Sequence, residues 1–237
     1  PIGIASAAQR TGRRLILVEL SGANDGLNTV IPINDERYFE IRPNIALSKE
    51  KVFNIGKELS LNSELQSLDP AFQAGDLAII QGLGYPGQNR SHFKSIALWE
   101  TGGDGSQAGK NGWLTEDIEG MKGSDTLDAH GISLDGGMGV FLSSSGVWLS
   151  MTSLNQFSSL SLTTEKMNSN KQANSANPAL SMIMDRGNTL NNSMASISSK
   201  VKKLNRHQKY RYDAGEFGRQ AAMAAQLIDA GIDAPVL

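Results

Sequence analysis

Arg14 to Ile33 reads RLILVELSGANDGLNTVIPI, and the reading of the fold starts from this stretch. Leu15, Ile16, Leu17, Val18 and Leu20 form an apolar run broken only by Glu19, which then meets Ser21-Gly22-Ala23-Asn24-Asp25-Gly26. An apolar run without alternation predicts a strand buried on both faces of an α/β sheet, and the glycine-bounded loop after it predicts a turn. In open α/β sheets, ligands sit in the loops at the carboxyl ends of the strands. Asp25, with Asn24 beside it, is therefore a candidate contact for a metal ion or an anion. The simpler reading of the same residues is an Asx-type turn with a solvated carboxylate.

The pattern repeats further along. Thr29 to Ile33 is extended, Asn34 to Ile41 has helical spacing, and Pro43 ends that piece. Val52 to Ile55 suggests a loop or small hairpin. Leu61, Leu65, Leu68 and Phe72 fall on one helical face up to Gly75, with Pro70 either breaking that helix or marking a start at Asp69. Asp76 to Gly82, DLAIIQG, predicts a second buried strand. It runs into the loop GYPGQNR and a helix from Ser91 carrying Phe93, Ile96 and Trp99. Strand, helix, strand, loop and helix in this order predict a right-handed βαβ unit. A short helix is expected after Gly112, and strands at Gly131–Leu134 and Gly139–Leu142. Helical spacing returns at Met182–Met184, at Met194, Ile197, Val201 and Leu204, and at Phe217, Ala221, Ala224, Ala225 and Ile228. Thr163 to Asn177 is polar, too poor in large apolar residues to offset its ordering entropy, and is read as a loop.

Composition narrows the function classes. The chain has 237 residues and a formal net charge of −2, which points to neither nucleic acid nor an anionic membrane. It contains no cysteine, so thiol catalysis, thiolate metal sites and disulfides are excluded together. No apolar run reaches the roughly 18 residues of a membrane span. The basic run Lys200, Lys202, Lys203, Arg206, Lys209 and Arg211 reads as a solvated helix face, with Tyr210 and Tyr212 the only aromatics near it for stacking on nucleic acid. Residues 1–10 contain Ala5-Ser6-Ala7, which fits either the cleavage end of an export signal or a small-residue linker. Residues 11–237 are read as one domain. Ile232 to Leu237 approaches a further strand, with the expectation that the natural protein continues.

The three histidines, His92, His130 and His207, are scattered and build no histidine-rich metal site. No G-x-S-x-G elbow or phosphate-loop motif occurs. Ser91, preceded by Asn89 and Arg90 and followed by His92, stands at a loop-to-helix junction after an expected strand. A hydroxyl there lies near free N–H groups and the positive end of a helix dipole, a setting for attack on a phosphoryl or sulfuryl centre. On physical grounds alone, a plain N-cap serine is the preferred reading.

LVELSGANDGLNTVIPINDERYFEIRPNIAL, LDPAFQAGDLAIIQGLGYPGQNRSHFKSIALWETG, GWL and GEFGRQAAMAAQLIDAGI occur in this order. Together they resemble the exported bacterial DUF1501 family, which is placed beside the alkaline phosphatase and sulfatase superfamily. The resemblance covers most of the chain; its first two blocks are long and specific, and 163–199 carries no family signature. It implies the N-terminal portion of a three-layer αβα sandwich of the alkaline phosphatase type, in a protein exported to the periplasm or cell envelope. It further implies a metal-dependent hydrolase of small-molecule phosphate or sulfate esters. Ser91 would be the nucleophile, Asn89 and Arg90 anion contacts, and Asp25 a ligand to a divalent ion (Zn, Mg, Ca or Mn). Members supply further ligands, an FDTH-like Asp and His and later histidines, beyond the point where this chain ends. The expectation is an incomplete metal site and no activity from this chain alone. A non-catalytic envelope binding or assembly protein on the same fold is the alternative.

Overall fold

The computed structural model describes residues 14–20, 24–121, 123–155, 157, 178–204 and 215–237. The arm expected at 1–10, the polar loop at 163–177 and the basic and tyrosine positions within 205–214 lie outside the described residues. The protein is mixed α/β with small sheets, and it divides into two units, Val18–Gly84 and Pro1–Leu17 with Tyr85–Leu237.

In the Val18–Gly84 unit, β1 (Val30–Ile31), β2 (Val52–Asn54) and β3 (Ser60–Asn62) form an antiparallel sheet in the order β1-β3-β2. Leu61 pairs with both Val30 and Phe53. Helix α1 (Glu36–Ile41) starts where the Asp35 side chain accepts the Arg37 N–H, and it stops at Arg42 because the residue before a proline disfavours the helical region. Ile31, Ile33 and Tyr38 are the buried core, with Leu47 and Val52 packed on them. Tyr38 stays polar at its tip. Its hydroxyl donates to Asn28 Oδ1 at 2.7 Å and accepts the Leu47 N–H at 2.7 Å.

Two expectations fail in this unit. Leu61 belongs to β3 rather than to a helical face. The Asn62 side chain accepts the Glu64 N–H and starts a 3-10 turn over Ser63–Leu68, which passes into α2 (Asp69–Gln73) with Pro70 in its first turn. Proline is harmless there because no intrahelical N–H is lost. Asp76–Gln81 forms no strand and joins no sheet among the described residues, and Ile80 is 83% exposed. An apolar run specifies a strand's taste for burial but not its hydrogen-bonding partner.

In the other unit, α3 (His92–Thr101) and α4 (Thr115–Glu119) precede β4 (Gly131–Ser133) and β5 (Trp148–Ser150), and α5 (Pro178–Lys202) and α6 (Gly215–Asp229) follow. The sheet is parallel. β4 pairs with β5, Val236 bridges to Gly131 on one side and to Leu15 on the other, and Leu15 and Leu17 donate to Pro235 and Leu237 carbonyls. The C-terminal residues thus reach the sheet through Val236, which makes isolated parallel bridges rather than a full strand. Because strand side chains alternate, the two faces meet different clusters. Ile132, Leu149 and Leu237 pack with Ile197 of α5 and Met223 and Leu227 of α6. Leu15, Leu17, Val236 and Trp148 pack with Leu114, Ile118 and Phe141.

The opening strand is thereby corrected: only Leu15 and Leu17 are covered, while Ile16, Val18 and Leu20 are exposed. Gly139–Phe141 is a 3-10 turn rather than a strand, and the strand lies at Trp148–Ser150. Gly131 is required there, since a Cβ would come within 2.7 Å of the Trp148 ring. The separate helices expected around Met182 and Met194 are one helix of 25 residues. In α6 the buried side is Ala222, Met223, Ala224 and Leu227, while Phe217 points out.

Two buried polar groups fix this unit. Asp128 sits just before β4. Its carboxylate accepts Ser196 Oγ at 2.6 Å, the Asp233 N–H at 2.6 Å and the Lys200 ammonium, and its carbonyl accepts Ser193 Oγ. Lys200 is therefore a clasp between α5 and the sheet, not part of a solvated basic face. His130 accepts the Val147 N–H at Nδ1, 2.9 Å away, so its neutral ring carries the proton on Nε2. Burial lowers its pKa, against the field of Glu119.

A pH prediction follows from His130. Between its depressed native value and the unfolded value near 6.5, the unfolded chain binds the extra proton, so stability rises with pH there. Stability should fall as pH drops below about 6.5 and the loss should level off below the native pKa. Protonation at Nδ1 also breaks the Val147 bond. Urea unfolding at about pH 7 and pH 5 should show His130→Asn, which keeps an acceptor but cannot titrate, to be less pH-sensitive than the native chain. Equal sensitivity would assign the dependence elsewhere.

Candidate functional site

Asp25 precedes a 3-10 turn at Gly26–Asn28, which it caps through its backbone but not its side chain. Thr29 Oγ1 lies 2.9 Å from both Asn24 Oδ1 and the Asp25 carbonyl, a local Asx-type arrangement. The Asp25 carboxylate is ion-paired with Arg42, whose guanidinium lies 5.9 Å from the centroid of the Tyr38 ring. Asp25 is 44% exposed and Arg42 14% exposed at their side chains, so the pair opens to solvent on the carboxylate side. The Arg42 Nε is buried without a partner.

One carboxylate already bound to a guanidinium does not fit a divalent ion, which takes several oxygen or nitrogen donors. Among the described residues, no group of three or more His, Asp or Glu side chains is placed to hold a metal. Two other carboxylates, Glu119 and Asp104, are committed to structure. Glu119 accepts from Ser143, Ser145 and Trp148, and these donors hold its pKa down although burial opposes them. Asp104 is a turn acceptor, lowered to about 2 by the Gln107 N–H and Ser106.

Ser91 lies in the other unit as the N-cap of α3, its Oγ accepting the Lys94 N–H at 3.4 Å. That bond is long, and the residue is exposed. Asn89 Oδ1 accepts the Ser91 N–H at 2.7 Å, which leaves the Asn89 amide nitrogen as the donor available to an anion. Among the described residues, Arg90 has no ion-pair partner. The N–H groups of His92 and Phe93 are first-turn donors without intrahelical acceptors. A hydroxyl, an amide, a guanidinium and a helix N-terminus therefore gather within four consecutive residues. The helix carrying them is little buried: Phe93 is 87% exposed, and Leu98 is its one fully covered position. Gly102 ends it in the left-handed conformation that glycine adopts freely.

Arg42, Tyr85 and Ser95 carry contacts that the sequence does not announce. Arg42 stands at a helix end before a proline, with no motif around it. Ser95 could have been found from its i+4 relation to Ser91, which places both on one face of α3. Tyr85 lies in a loop, where spacing carries no direction. Compared with family models, with curated proteins and with solved structures, the chain matches none.

Proposed function

We propose that this chain belongs to an exported, alkaline phosphatase-like hydrolase of small phosphate or sulfate esters. The observation that carries the reading is the exposed Ser91 hydroxyl at the head of α3, beside Arg90 and the amide of Asn89, for neither of which a partner stands among the described residues. The two helix-covered faces of the parallel sheet support the three-layer form of the fold. Arg90 and Asn89 hold the ester's anionic oxygens. Ser91 Oγ gives its proton to solvent and attacks the phosphorus or sulfur in line, the bond to the ester oxygen breaks, and the alcohol leaves with a proton from solvent. Water then hydrolyses the serine ester and releases the inorganic anion. The α3 dipole and its first-turn N–H groups offset charge on the transferred group. Metal dependence and Asp25 as ligand belong to this proposal through the family resemblance. The Arg42 ion pair does not fit that role, and no step is routed through a metal.

The Arg42 pair favours a second reading, a binding or assembly protein that keeps the fold without the chemistry. Hydrolysis of p-nitrophenyl phosphate and p-nitrophenyl sulfate by the whole protein, with Zn, Mg, Ca or Mn supplied singly and then chelated, separates the two. Ester turnover is expected, and Asp25→Asn and Arg42→Gln should lower stability by a similar amount, about 1 kcal/mol, and leave turnover unchanged, because Asp25 serves as the counter-ion of Arg42. Loss of a metal-stimulated turnover in Asp25→Asn alone would instead make Asp25 a ligand. No turnover under any metal favours the binding protein.

A further inference from the structure

The loop that presents Asn89, Arg90 and Ser91 is closed by three hydrogen bonds whose direction can be assigned. Ser95 Oγ donates to the Asn89 carbonyl at 3.1 Å. Its single proton is then spent, so in the 3.0 Å contact between Tyr85 and Ser95 the phenol is the donor. The Tyr85 oxygen in turn accepts the Asn89 N–H at 3.2 Å. The result is a one-way ring, from Asn89 N–H to Tyr85, from Tyr85 to Ser95 and from Ser95 back to the Asn89 carbonyl. Donors in such a chain polarise one another. Both backbone groups of Asn89 are held, its side chain fixes the Ser91 N–H, and only its amide nitrogen is left to a ligand. The ring of Tyr85 is itself seated, since a Cβ on Gly105 would lie 3.2 Å from it.

We propose that Tyr85 and Ser95 are positioning residues, which hold Asn89, and through it Arg90 and Ser91, in the geometry that receives a phosphate or sulfate group. The inference rests on the reading of Ser91 as nucleophile and Asn89 and Arg90 as anion contacts. Neither side chain has to touch the substrate. Effective attack needs the reacting atoms aligned closely, so a loosened loop reduces the chemical step more than it reduces binding.

The test uses Tyr85→Phe, Ser95→Ala and Ser95→Thr in the whole protein. Tyr85→Phe keeps the ring on Gly105 and removes only the oxygen; Ser95→Thr keeps the hydroxyl. Amide exchange at Asn89 should quicken about tenfold in Tyr85→Phe and Ser95→Ala, the effect of one lost hydrogen bond, and return toward native rates in Ser95→Thr. With p-nitrophenyl phosphate, kcat should fall about tenfold with KM changed less than about twofold, and the double variant should be no worse than either single one. Circular dichroism should report an unchanged α3. Unchanged exchange at Asn89, or faster exchange with unchanged kcat, overturns the proposal. Should the native protein turn over no ester, the hydrolase reading fails separately, and inorganic phosphate binding, followed at the Ser91 amide resonance, decides the ring. A phosphate-induced shift of the Ser91 amide resonance that differs in Tyr85→Phe from the native one supports positioning; the same shift in both, or none in the native protein, overturns it.

Discussion

Ser91→Ala is expected to reduce ester hydrolysis in the whole protein by roughly 10³-fold or more, the scale on which removal of a nucleophile acts. The same change should leave the fold in place. Loss of an N-cap hydroxyl costs about 1 kcal/mol, and the 3.4 Å cap bond on an exposed helix end puts Ser91 at the low end of that range. The two magnitudes differ by enough to separate the roles. Either way the cap is lost at a small cost in stability; a cap alone leaves turnover native, whereas a nucleophile leaves almost none. Steady-state kinetics and a thermal melt on the same preparation check both. Ser91→Thr is a sharper variant, since it keeps a capping hydroxyl but crowds the attacking oxygen.

The second large effect is on stability. Asp128→Ala should lower the free energy of unfolding by about 3 kcal/mol, because it strands the part-buried N–H of Asp233 and removes the counter-charge of Lys200. Asp128 joins three parts of the chain that are remote in sequence: the start of β4, α5 and the segment leading into Val236. Burial raises its pKa, but Lys200, Ser196 and the Asp233 N–H together bring it below the ordinary aspartate range. A depressed native pKa means the unfolded chain takes up the proton first. The stabilisation is therefore full above the unfolded value near 4 and is lost as pH falls through the native value. Urea titration of Asp128→Ala and Asp128→Asn measures it, with the asparagine variant expected between the alanine variant and the native chain. A loss under about 0.5 kcal/mol would show that the network is an accessory of the packing around Ile197 and Leu227.

What could be read in the sequence tracks local physics. Helix α1 up to Pro43, the Ser91 cap and the length of α3 follow from residues within a few positions of one another. The strand at Gly131–Ser133 and the strand-like Val236 were legible for the same reason. Features that depend on distant partners were not. Leu61, Leu65, Leu68 and Phe72 satisfy a helical repeat, yet pairing of Leu61 with Val30 and Phe53 draws it into a sheet. Ile16 and Ile80 look like interior residues because they are apolar, while exposure depends on what lies opposite them. β5 was missed because Trp148-Leu149-Ser150 follows a serine-glycine run that reads as loop, and only its parallel pairing with β4 reveals it.

The candidate site divides along the same line. Ser91 announces itself through capping chemistry, and Asp25 through its glycine-flanked loop. The Arg42 partner of Asp25 and the Tyr85–Ser95 ring around Asn89 come from side chains brought together by the loops, which no linear spacing encodes. Arg42 matters most for function, because it gives Asp25 a structural task that competes with metal ligation. That competition is why the hydrolase reading rests on Ser91 and its loop.

The most direct measurement is to trap the covalent intermediate. The whole protein is mixed with p-nitrophenyl phosphate, quenched in acid and digested, and its peptides are weighed. The account predicts one phosphoryl group on the peptide carrying Ser91, and none on that peptide in Ser91→Ala. Turnover of the ester with no phosphoryl group on Ser91, or turnover that persists in Ser91→Ala, would contradict it.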